Sequence, residues 1–177
     1  MAAEAPRAPR LVRKYLPELV YGSNDGLITT FAIVSGVVGA RLANSVVVIL
    51  GLASLFADGI SMAASDFLAE RSDPEEQTGR LLAARKGVAT LAGFVLIGAV
   101  PLVAYLVPLP DDLRFPVAAG MTLVTLFVVG AGRSSAHEDI AWLRGGLEML
   151  VVGAIAAGVA FGIGALSSTL GGAGPAP

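Results

Sequence analysis

Five long apolar runs, separated by short polar stretches, organise this chain. They extend from Val20 to Ala40, Asn44 to Leu68, Val88 to Val107, Phe115 to Gly132 and Leu147 to Leu170. A helix crossing the hydrocarbon core of a bilayer needs about 20 mostly apolar residues, so each run is read as one transmembrane helix. The runs are continuous and do not alternate with a period of two, which sets aside a transmembrane β-barrel. Pro101 lies inside the third run and predicts a kink, because proline removes a backbone donor and crowds the preceding turn. Pro116 falls near the start of the fourth run, where proline is tolerated. The expected fold is an all-α integral membrane protein: a tail over residues 1–19, a five-helix transmembrane domain over 20–170, and a disordered tail over 171–177.

Composition agrees with that pattern. Hydrophobic residues make up 55% of the chain and charged residues 15%, against about 25% charged in a soluble domain. With no cysteine, disulfides, thiolate metal sites and cysteine nucleophiles are excluded. The net charge of −2 is too small to argue for or against any partner, and no nucleic-acid partner is expected. The basic opening stretch leads into an apolar run that carries Asp25 and lacks a cleavage site, so a removable signal peptide is not expected. Lys and Arg positions set orientation. Ten of them fall in the N-terminal tail and the loops after the second and fourth helices, and only Arg41 and Arg114 on the opposite side. That places the N-terminus in the cytoplasm and the C-terminus outside. Arg greatly outnumbers Lys and Ala and Gly are abundant, which points to a prokaryotic cell membrane.

The acids are the informative residues. Asp25, Asp58 and Asp66 lie in the first two runs, Glu70 at the edge and Glu148 at the start of the fifth, while no Lys or Arg lies inside any run. An uncompensated charge in the bilayer costs about 2.5 kcal/mol or more, so these carboxylates call for a bound cation, a proton or a water-filled cavity. At 1.5 Å per residue Asp25 lies roughly 7 Å past Val20, and Met62 roughly 9 Å before Leu68 on the antiparallel second helix. The two share one level. Asp58, Met62, Asp66 and Glu70 recur every four residues and form one stripe descending towards the cytoplasmic loop. Carboxylates suit Mg²⁺, Ca²⁺ or Mn²⁺, and a thioether beside them favours a transition metal. Glycines at 36 and 39, and the pair Gly158-x-x-x-Gly162, permit close helix approach, either within the chain or across a dimer. His137 sits in a loop with Glu138 and Asp139, and no nucleophile–base arrangement stands out, so an enzyme is not expected.

The blocks YGSNDGLITTFAIVSGVVGA, LGLASLFADGISMAASDFLAERS and WLRGGLEMLVVGAIAAGVAFGIGAL resemble the vacuolar iron transporter family, in order and at the right separation. The resemblance implies a five-helix homodimer that moves Fe²⁺, and often Mn²⁺, out of the cytosol in exchange for protons, without a resident cofactor. It implies that Asp25 and Met62 line the ion path at the dimer axis and that Asp66 is the carboxylate that follows, although Ser65 replaces the usual glycine. Full-length vacuolar members insert a Glu- and Met-rich cytoplasmic domain between the second and third helices. Here only Glu70 to Gly87 is present, with Asp73, Glu75 and Glu76 as a short acidic remnant. The expected metal ligands are therefore Asp25, Met62, Asp66 and Glu70, with Asp58 and Glu148 on the proton pathway. A manganese-preferring exporter, a passive cation pore, and a membrane metal sensor or scaffold that moves no ions are the competing readings.

Overall fold

Within residues 10–72, 79–135 and 141–170, which the computed structural model describes, every element is helical. In chain order these are α1 (Arg10–Gly39), α2 (Asn44–Ser72), α3 (Arg80–Gly98), α4 (Val100–Leu106), α5 (Asp111–Ser135) and α6 (Trp142–Leu170). The acidic loop residues Asp73, Glu75 and Glu76, the stretch His137–Glu138–Asp139, and the tails 1–9 and 171–177 lie outside the described residues, as do the side chains of Arg10, Arg13 and Lys14.

Four helices, α2, α3, α5 and α6, are long and apolar enough to cross a membrane, which makes this a multi-pass membrane protein. Their outward faces are apolar: Leu96 is 71% exposed and Val124 66%, as expected where lipid rather than water is the neighbour. The first helix differs. Its 30 residues are diluted by Ser23, Asn24, Asp25, Thr29 and Thr30, yet it packs against all the other helices and buries Leu27, Phe31, Val34 and Val37 together with Ser23, Thr30 and Ser35. Polar groups are tolerated at membrane depth when protein, not hydrocarbon, surrounds them. The least apolar helix is thus the central one.

Glycine sets how close its neighbours come. A Cβ at Gly22 would lie 2.2 Å from the Thr90 carbonyl oxygen of α3, and one at Gly26 would lie 2.4 Å from that of Phe94. On the other flank Gly39 meets the Phe161 carbonyl of α6 at 2.3 Å by the same measure, and Gly36 the Ala160 carbonyl at 3.4 Å. Gly36 and Gly39 therefore seat α6 within the chain. Gly158 and Gly162 face open space, with nothing within 4 Å of an added Cβ. This is the small-residue packing that lets membrane helices associate where burial of apolar area gives little driving force.

The Pro101 kink takes the form of a break. α3 ends at Gly98, α4 begins at Val100, and the Ala99 N–H still donates to the Val95 carbonyl at 3.1 Å. The helices also outrun the apolar segments. α3 begins at Arg80, eight residues before Val88, and α2 continues to Ser72, so residues 70–72 and 80–87 of the expected loop are helical. Hydropathy marks the depth of the bilayer, not the end of a helix, and RLLAARK is rich in strong helix formers. Pro116 likewise falls at the sixth position of α5, whose first turn carries Asp111 and Asp112 at the end where the helix dipole favours acids. The Asn44 amide donates to Asp111 at 3.1 Å and ties the starts of α2 and α5 together at one end of the bundle.

Candidate functional site

The N-D-G block puts Asp25 on an exposed face of α1, flanked by buried Gly22, Ser23 and Gly26. The neighbouring surface of α2 carries Asp58, also exposed, and the two carboxylates are close enough to repel each other electrostatically. The Ser54 hydroxyl, one turn earlier on α2, donates to Asp58. Within the single chain the Asp58 side chain is exposed. Met62, one turn further, is half-buried and packs against the core cluster that contains Phe94 and Leu55.

Below Met62 the stripe turns away from that surface. Residues four apart on an α-helix rotate by about 40° per step, so Glu70 lies about 120° round from Asp58. The lower acids accordingly face α3 and find partners there. Asp66 accepts a hydrogen bond from the Thr90 hydroxyl, which is fully buried. Glu70 is ion-paired with Lys86, whose ammonium also lies 3.6 Å from Glu18 of α1. Glu70 thus has a basic partner, contrary to the premise that the acids of the stripe lack one. Lys86 reads as a loop residue only when α3 is started at Val88.

Glu148 departs from that premise as well. It lies 3.5 Å from Arg133 of α5 and 3.2 Å from Arg144 one turn before it on α6, and the three share a cavity with Asn24, whose carbonyl oxygen is buried without a hydrogen-bond partner. Among the described residues no three acids or histidines come together as a metal cluster. The candidate residues thus divide into Asp25 and Asp58, both exposed, with Met62 one turn beyond Asp58, and Asp66, Glu70, Glu18 and Lys86 towards the α2–α3 connection. Glu18 was absent from the expected set, although it lies seven residues before Asp25, two turns away on the same helical face.

Comparison with known proteins places the sequence. The VIT family model matches residues 16–85 and 74–165. The chain is 29% identical over 170 residues to "Vacuolar iron transporter homolog 1" of Oryza sativa subsp. japonica, covering 85% of this chain and 72% of that protein. It is 50% identical over 52 residues to the "Vacuolar iron transporter" of Plasmodium falciparum (isolate 3D7), and 47% identical over 57 residues to that of Plasmodium berghei (strain Anka). Those two matches cover 29% and 32% of this chain but only 19% and 21% of the relatives' own length. The relatives named here are eukaryotic, so the prokaryotic plasma membrane expected from Arg and Lys usage is not borne out. With the matched regions running from residue 16 to residue 165, the chain belongs to the VIT family.

Proposed function

We propose that this protein is a metal/proton antiporter that exports Fe²⁺, and also Mn²⁺, from the cytosol, working as a homodimer of five-span protomers. The observation that carries the reading is the pair of exposed carboxylates, Asp25 and Asp58, on one α1–α2 surface. Acids on the outside of a membrane bundle cannot be left facing lipid. A second copy laid over that surface would enclose four carboxylates and two Met62 thioethers around a two-fold axis. The relatives' names supply the cargo, iron, and the oxygen-plus-thioether donor set suits a soft-leaning divalent ion. On this reading α1 is the fifth span, shielded by its neighbours, and the chain performs transport rather than catalysis.

The mechanism follows from charge. Two Asp25 carboxylates neutralise one divalent ion, and the Met62 sulfurs complete its coordination. When the ion leaves, each Asp58 takes up a proton, since several negative charges in one dehydrated space repel one another strongly. Protons entering from the other side and metal entering from the cytosol then alternate at one set of acids. Purified protein in liposomes should carry Fe²⁺ and Mn²⁺ faster under an imposed pH gradient than without one, and should not carry Ca²⁺. Transport insensitive to the gradient would identify a passive pore, and metal binding without flux a sensor.

A further inference from the structure

The triad Glu18–Lys86–Glu70 joins α1, α3 and α2 at the end of the bundle where the acidic stripe finishes. All three side chains are largely buried, at 13%, 19% and 20% exposure for Glu18, Lys86 and Glu70. Their summed charge is −1. The Lys86 ammonium reaches Oε1 of each carboxylate and leaves Oε2 of both buried without a hydrogen-bond partner. Unpaired buried carboxylate oxygens are costly, and a single ammonium does not satisfy the pair. A six-coordinate divalent ion could engage all four oxygens and bring the pair to neutrality. One turn deeper, Thr90 holds Asp66, and Thr90 and Lys86 are four residues apart on α3, as Asp66 and Glu70 are on α2. Lys86 therefore occupies the first rung of the same ladder that leads to Met62 and Asp25.

We propose that the Lys86 ammonium is a tethered competitor for the divalent cation. It fills the Glu18–Glu70 pair while no metal is there and has to swing out before an ion can enter the stripe. The inference rests on reading that stripe as a cation path. Lys86 then sets how much free metal is needed for entry, which guards the path against ions present at low concentration. A lysine suits this role, since its flexible stem and compact charge let it leave and return.

The test is a count of bound Mn²⁺ by electron paramagnetic resonance on the purified full chain, with every variant built on Asp25→Asn so that the deeper site does not contribute. Lys86→Met should bind one additional Mn²⁺ per chain, at least tenfold more tightly than the parent, and Lys86→Arg should behave as the parent does. Glu18→Gln or Glu70→Gln added to Lys86→Met should abolish the gain. Lys86→Gln, whose amide can still donate to both carboxylates, should show the same gain and serves if Lys86→Met does not fold. A lysine that only holds three helices together would give loss of stability and no gain in Mn²⁺. Folded Lys86→Met or Lys86→Gln protein with parental Mn²⁺ binding overturns the proposal. The count needs no transport, so a wild-type protein that moves no metal would remove the antiport reading separately.

Discussion

At the scale of single residues, Asp25 and Met62 carry the proposed coordination. Outer-shell changes at metal sites cost about 10–100-fold, so losing a direct carboxylate ligand should cost at least about 100-fold. Asp25→Asn is expected to abolish Fe²⁺ and Mn²⁺ uptake by liposomes while the chain keeps its helical circular dichroism. Met62 packs against the core, and a Met-to-Leu change that conserves volume should cost less than about 1.5 kcal/mol. Met62→Leu should therefore fold, and it should slow Fe²⁺ more than Mn²⁺, the harder ion; equal Fe²⁺ rates in both proteins would reduce the methionine to packing. Asp58→Asn fixes the neutral form. It should leave metal flux measurable but indifferent to an imposed pH gradient, and flux that still tracks the gradient would assign the proton elsewhere. These residues were legible in the sequence because an acid without a base inside an apolar run is conspicuous. Glu18 and Lys86 were not, since both lie just beyond the apolar runs, where charge is ordinary and only the packing of three helices shows that they meet.

At the scale of elements, the order of helices and the break at Pro101 follow from hydropathy and from proline's missing donor. The length of α2 and α3 beyond the bilayer does not, because polarity conceals a helix that runs on into water. Nor could spacing tell which helix a glycine faces: Gly36 and Gly39 seat α6, while Gly158 and Gly162 open outwards. The α1–α2 turn holds a local strain that the sequence also hides. The Leu42 N–H donates to the Val37 carbonyl at 3.1 Å and the Arg41 N–H to that of Val38 at 3.0 Å, the double bond pattern of a Schellman cap. Arg41 occupies the left-handed position with φ 57°, where glycine is favoured and other residues pay about 1 kcal/mol. Arg41→Gly is expected to raise stability by about that amount, read as a higher thermal midpoint in detergent. A lowered midpoint would mean that the arginine side chain contributes more than the strain costs.

At the scale of the whole molecule, the proposed transport needs a second copy over the α1–α2 surface. The chain has no cysteine, so single introduced thiols report cleanly on what lies beside them. Tyr21, 59% exposed on α1 one turn before Asp25, lies on the proposed dimer face, whereas Leu96, 71% exposed on α3, faces lipid. Oxidation in native membranes should link Tyr21→Cys chains as dimers and leave Leu96→Cys chains single; the reverse result would move the interface to another face. Alternation of metal and protons at one set of acids is read by recording Fe²⁺ entry and lumenal pH together in the same liposomes. Wild-type protein should show metal entry with matching proton exit, and both should vanish together in Asp25→Asn. Iron entry with no accompanying pH change in the wild type would rule out exchange of metal for protons.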